Sequence, residues 1–174
     1  MSLFKVDSMC RIDSLKEHSD IKNTLTEMID DAERDILTEQ TTELVTDFHV
    51  SNSGTKQREW VDYLFPFLEK HLQTTCEMFG YRHFILQNIW FQQYSNGQNH
   101  GWHTHGGNYT NVYYLEFGKD APKTQMRHMG TDKETEFNVS EGSVLSFPSF
   151  IWHKAPEVQG NNRKTIISWN MNLV

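Results

Sequence analysis

Apolar residues recur at helical intervals in the first part of the chain and give way to short aromatic and β-branched runs after residue 80. Ile21, Leu25, Met28, Ile29, Ala32 and Ile36 fall on one face of a helix predicted over 14–37, and Ser14 and Glu17 stand at capping-box spacing before it. Residues 38–56 are polar, carry Asn52-Ser53-Gly54 as a turn signal, and read as a loop. A second helix is predicted over 57–78, with Trp60, Leu64, Phe67, Leu68 and Leu72 on its apolar face. Pro66 should kink it, and Gly80 follows as a C-cap.

From Tyr81 the period changes. Strands are predicted at 83–94, 101–105, 110–117, 124–129, 135–139, 143–148, 151–155 and 163–172. Eight short strands after two helices give a mainly β fold, a barrel or jelly roll with the helices packed outside. The expected organisation is a single domain over 1–174, with a helical N-terminal part (1–80) and a β core (81–174).

Composition narrows the function classes. The chain has 174 residues, a net charge of -7 and 13% aromatic residues, most of them beyond residue 60. An acidic chain without a Lys/Arg cluster is a poor partner for nucleic acid. No apolar run is long enough for a membrane span, and the N-terminus lacks a secretory pattern, so the expectation is a cytoplasmic protein. Cys10 and Cys76 lack metal-ligand spacing and predict no disulfide.

The candidate chemistry lies in the histidines. His103 and His105 are spaced i, i+2, which on a strand turns both rings to one face. His153, 48 residues after His105, ends the run Gly142 to His153 and supplies a third imidazole after four or five intervening strands. Three such rings can hold a divalent metal. His100 is expected in the second shell or at the pocket rim. Ten residues past His153 comes Arg163, on one face of a strand with Thr165. A guanidinium at a barrel mouth suits a carboxylate.

These residues resemble the Fe(II)/2-oxoglutarate-dependent dioxygenases, most closely a small bacterial and phage subgroup with an H-x-H pair, a distal His, a Tyr-Tyr-Leu strand (Tyr113 to Leu115) and a Gly-to-His block (Gly142 to His153). The resemblance covers about residues 88–172. It implies a cupin-like double-stranded β-helix, Fe(II) and 2-oxoglutarate as cofactors, and ascorbate as an admissible reductant. It carries the first and distal metal ligands onto His103 and His153. Arg163, with Thr165 as helper, matches the anchor of the distal carboxylate, while Tyr114 and Tyr94 match positions that line the co-substrate pocket. His105 departs from the family by replacing an acidic ligand. The implied substrate is a small molecule or a peptide side chain.

Trp90, Trp102, Trp152 and Trp169 are expected to shape the pocket, and loops 95–101 and 106–110 to flank it. Two other readings fit the same residues: a three-histidine cupin enzyme without 2-oxoglutarate, with zinc as a metal variant, and a non-catalytic metal- or sugar-binding jelly roll.

Overall fold

A computed structural model describes residues 8–34, 39–40, 43–53, 57–128 and 130–174. Two helices match the apolar periodicity: α1 (His18–Arg34) and α3 (Glu59–Met78). Ile36 and the rest of the expected first-helix end lie outside the described residues. Ser14 is not a cap for α1, because it ends a strand, β1 (Arg11–Ser14), that pairs with residues 143–146. Pro66 does not break α3. Pro66 and Asp62 are both exposed, so the Asp62 carbonyl that loses its helical donor faces water. Beyond Phe79, Gly80 takes φ +83, and Tyr81 N–H reaches back to the Cys76 carbonyl, closing the helix as its sequence position suggests.

The eight predicted strands are all present: β4 (Phe84–Tyr94), β5 (His100–His103), β6 (Tyr109–Phe117), β7 (Gln125–Arg127), β8 (Glu134–Glu136), β9 (Ser143–Pro148), β10 (His153–Ala155) and β11 (Lys164–Leu173). Segment 38–56 is not a plain loop. It contributes β2 (Glu39–Gln40), β3 (Val45–Thr46) and the short helix α2 (Phe48–Ser53). The division at residue 80 is therefore not one of helix from sheet, because β1, β2 and β3 all join the large sheet.

That sheet has seven strands in the order β1-β9-β6-β11-β4-β3-β2, and faces a four-stranded sheet, β5-β10-β7-β8. The two antiparallel sheets form a double-stranded β-helix. The central strands are buried on both faces, and β11 is buried almost without a break although polar residues alternate with its apolar ones. One face, with Phe91, Tyr113, Ile167 and Trp169, packs under Ile21, Leu25 and Ile29 of α1 and Trp60, Leu64 and Leu68 of α3. Each fully buried aliphatic side chain there contributes about 1.5–3 kcal/mol. The opposite face presents Tyr94, Val112, Tyr114, Phe147 and Ile166 to Met126 and Ala155.

A bulge changes side-chain parity at the end of β6, while β11 alternates regularly beside it. Thr165 faces Glu116 but Ile166 faces Tyr114, so Leu115 is the extra residue. Leu115 and Glu116 both turn toward the helices, and Phe117 returns to the space between the sheets. Both cysteines are free. Among the described residues no helix is long and apolar enough to cross a membrane.

Candidate metal centre

His103 ends β5 and His153 begins β10, and the two are register partners. Antiparallel pairing thus sets their rings side by side, with centroids 4.2 Å apart. His105 arrives differently from the expected strand geometry, since β5 stops at His103. The loop beyond it is tied down by the His105 N–H donating to the Ser149 carbonyl at 3.0 Å. Ser149 is itself held by Thr110, which also bonds Asn170, all inside the protein. The result brings one ligating atom from each of His103, His105 and His153 within 4.8 Å of the others.

Backbone carbonyls set two of the tautomers. His103 Nδ1 lies 2.7 Å from the Gly101 carbonyl, and His153 Nδ1 lies 2.9 Å from that of Ile151. A carbonyl only accepts, so both Nδ1 atoms carry the proton and both Nε2 atoms present a lone pair. His105 Nε2 and His153 Nε2 are 3.2 Å apart. Burial, then crowding by neighbouring imidazoles, pushes the pKa of His105 and of His153 down to about 3. Burial lowers His103 as well. The rings are neutral at pH 7, as metal ligands must be. Phe147 packs edge-on against His153 and Trp90 tilts against His105, which restricts both rings.

The histidines lie where two cavities meet. A small inner pocket of about 20 Å³ includes Tyr94, Thr124, Ile166 and Ser168 in its lining. A wider outer cleft of about 310 Å³ runs past Leu44, Phe48 and Trp90. Of the predicted tryptophans, only Trp90 borders these spaces. Trp102 lies under Arg127 and Lys154, Trp152 is 51% exposed, and Trp169 sits in the core beneath the helices.

The structure corrects the placement of Arg163 and Thr165. Arg163 precedes β11 and turns to the helix side, donating to Asp30 at 2.8 Å and to Glu116 at 2.9 Å. Thr165 follows it outward, donating to Glu116 Oε2. The residue facing inward is Lys164, which pairs across the strands with Tyr94 and Phe117. A slip of one residue in parity moves a side chain to the other face of a sheet. Lys164 is 0% exposed. Its Nζ donates to the Pro122 carbonyl at 2.9 Å and lies 5.4 Å from the Tyr94 ring centre and 5.7 Å from that of Phe117. Among the described residues no carboxylate pairs with it. Burial pushes its pKa down to about 8. Beside it the buried Tyr94 hydroxyl has no hydrogen-bond partner among the described residues, while the Tyr114 hydroxyl donates to Thr124 Oγ1 at 2.8 Å.

Arg163→Ala is therefore expected to act on stability alone. The Arg163 side chain is 38% exposed, so losing both ion pairs costs only about 1 kcal/mol. Urea unfolding should show that loss, and calorimetric titration should show metal and 2-oxoglutarate affinities within about twofold of the parent. A large drop in either affinity would put Arg163 back at the site.

No family model matches the chain, and neither does any curated protein. Solved structures match it along nearly its whole length. A prolyl hydroxylase from Trichoplax adhaerens, in complex with a hypoxia inducible factor oxygen degradation domain peptide fragment, aligns with a TM-score of 0.67 at 13% identity, over 92% of this chain and 82% of that one. The viral collagen prolyl hydroxylase of Paramecium bursaria Chlorella virus-1, solved as a 2-oxoglutarate complex, gives 0.59 at 13% identity over 95% and 96%. A 2OG-Fe(II) oxygenase family oxidoreductase from Burkholderia pseudomallei gives 0.59 at 12% identity over 94% and 92%. The chain has the fold of these proteins.

Proposed function

We propose that this chain is an Fe(II)- and 2-oxoglutarate-dependent oxygenase whose iron is held by His103, His105 and His153. The observation that carries the reading is a pair of features built into one inter-sheet space. Three neutral imidazoles converge there, and a buried lysine lies nearby without a carboxylate partner among the described residues. The donor set fits Fe(II), for which imidazole is a suitable ligand. Three protein ligands leave coordination positions for a chelating co-substrate and for oxygen. When bound, the iron supplies the oxidative chemistry, in which 2-oxoglutarate, O₂ and a C–H substrate become succinate, CO₂ and the hydroxylated product.

The protein's own residues hold and orient. Lys164, not Arg163, anchors the distal carboxylate of 2-oxoglutarate by a charge-assisted hydrogen bond worth about 1.5–3 kcal/mol. Tyr94, with its unspent hydroxyl, and Thr124 are the polar groups beside it. Tyr114 acts through Thr124. Phe147, Ile166 and Val112 keep the inner pocket dry, which strengthens each of these contacts. The structural neighbour that carries a bound peptide supports a peptide side chain as substrate, and the size of the outer cleft admits a small molecule as well.

The reading is tested by supplying Fe(II), O₂ and 2-oxoglutarate and measuring succinate. Formation above the level of a His153→Ala control is expected, and its absence across the pH range would sink the assignment. The lysine adds a pH signature. Its pKa of about 8 means that the cation needed to bind a diacid is present below that pH and lost above it. The dissociation constant for 2-oxoglutarate should be flat below pH 8 and rise toward about tenfold per unit above it. A flat profile to pH 10 would remove Lys164 from the anchor role.

A further inference from the structure

A second β-bulge lies beside the histidines. His153 faces His103 and Ala155 faces His100, so two steps of β10 span three of β5. In regular alternation His100 and His103 would project to opposite faces. The bulge re-aims one of them. Their rings instead stack, with centroids 4.0 Å apart and planes 17° from parallel. His100 thereby borders both the inner pocket and the outer cleft.

The tautomer of His100 is set from behind. Ser168 Oγ donates to Gln92 Oε1 at 3.2 Å, which leaves Gln92 Nε2 3.1 Å from His100 Nδ1. An amide nitrogen can only donate, so Nδ1 accepts and the ring proton sits on Nε2. Gln92 and Ser168 are both buried, so the pair is held in place. His103 and His153 have the reverse arrangement, with lone pairs on Nε2. A protonated nitrogen cannot ligate a metal but can donate to an acceptor. Among the described residues none accepts from His100 Nε2.

Leu44, Phe48 and Trp90 form an apolar part of the cleft wall, the two rings meeting edge to face at 5.0 Å, with Glu43 and Thr46 beside them. We propose that His100 is the substrate-reading residue of this cleft. Its Nε2–H donates to a carbonyl or carboxamide oxygen on a substrate whose apolar part lies against Leu44, Phe48 and Trp90. An alkylammonium, which has no acceptor, would set one N–H against another at that nitrogen and is rejected there. The inference rests on the oxygenase reading for the identity of the metal, but not for the polarity of the cleft.

The test uses the full chain and two small probes, N-isobutylacetamide and isobutylamine, followed by ligand-observed NMR with and without Mn(II). The amide should bind at millimolar concentration and have its proton relaxation enhanced by Mn(II). His100→Phe keeps a ring on His103 but no donor, and should weaken amide binding about tenfold. His100→Asn restores a donor and should stay within about threefold of the parent. Equal binding of the amide to His100→Phe, equal binding of the amine, or no amide binding to the parent overturns the proposal. Amide binding that depends on His100 but is untouched by Mn(II) supports it and counts against the metal reading alone. Long-range ¹H–¹⁵N spectra of the parent protein give a measurement free of substitution: a proton on Nε2 of His100 supports the proposal, and one on Nδ1 overturns it.

Discussion

Lys164→Met is expected to weaken 2-oxoglutarate binding about a hundredfold while leaving the metal-free protein at least as stable as the parent. The two effects have one cause. A protonated lysine between the sheets loses its hydration, and among the described residues it receives only the Pro122 carbonyl and two aromatic faces in return. Its folded-state pKa of about 8 lies below the value near 10.4 of an unfolded chain, so the protonated form destabilises the fold below pH 8. That penalty is relieved as pH rises from 8 toward 10.4. Methionine has similar length and no charge to desolvate, so the substitution removes a penalty of a few kcal/mol, of which about 1–2 kcal/mol is returned by the unpaired Pro122 carbonyl. Thermal unfolding of the metal-free variant at pH 7 should occur at or above the parent temperature. The diacid meanwhile loses its cation, and its dissociation constant should rise about a hundredfold by calorimetry. A variant that keeps co-substrate affinity would refute the anchor, and one that unfolds early would show that the lysine is structural.

The distance from Arg163 to Lys164 also marks where sequence reading stops. The eight strands after residue 80 are legible because turns punctuate short β-branched and aromatic runs. Their parity is not. Ile166, Ile167, Ser168 and Trp169 are all buried, some facing the helices and some the opposite sheet, so hydrophobicity carries no alternation to count from. The bulge at Leu115, which shifts the end of β6 against β11, likewise depends on contacts that only the folded sheet makes. Segment 38–56 was equally opaque. Its buried residues include Thr46 and Asp47, and Asp47 is held by Arg58, Trp60 and the Phe91 N–H, partners distant in the chain. The triad was legible because it needs only residue type and coarse spacing. The i, i+2 spacing points His105 at the site through a strand continued past His103, whereas in the fold Ser149 secures it from another loop. His100 shows the same limit, since its inward turn rests on a bulge.

His103→Ala and His153→Ala are each expected to lose stoichiometric Fe(II) binding, with affinity reduced by more than about a hundredfold, because each removes one of the three proposed ligands and, among the described residues, no fourth side chain is poised to replace it. His100 is the nearest candidate, and its Gln92 contact keeps the proton on the nitrogen that would have to ligate. His153 is buried, so His153→Ala also opens a cavity beside Phe147 and should lower the unfolding temperature. His103 is less buried, so His103→Ala separates metal loss from instability. His105→Asp should behave differently. It sits on a loop fixed by its backbone N–H, a bond that any residue at 105 can make, and a carboxylate also ligates Fe(II). Binding should persist in this variant, with the centre one unit less positive. Anaerobic titration of the three variants with Fe(II), with circular dichroism to verify the fold, separates the cases. Tight binding retained by His103→Ala or His153→Ala would move the metal elsewhere, and loss in His105→Asp would mean that the cleft requires imidazole at that corner.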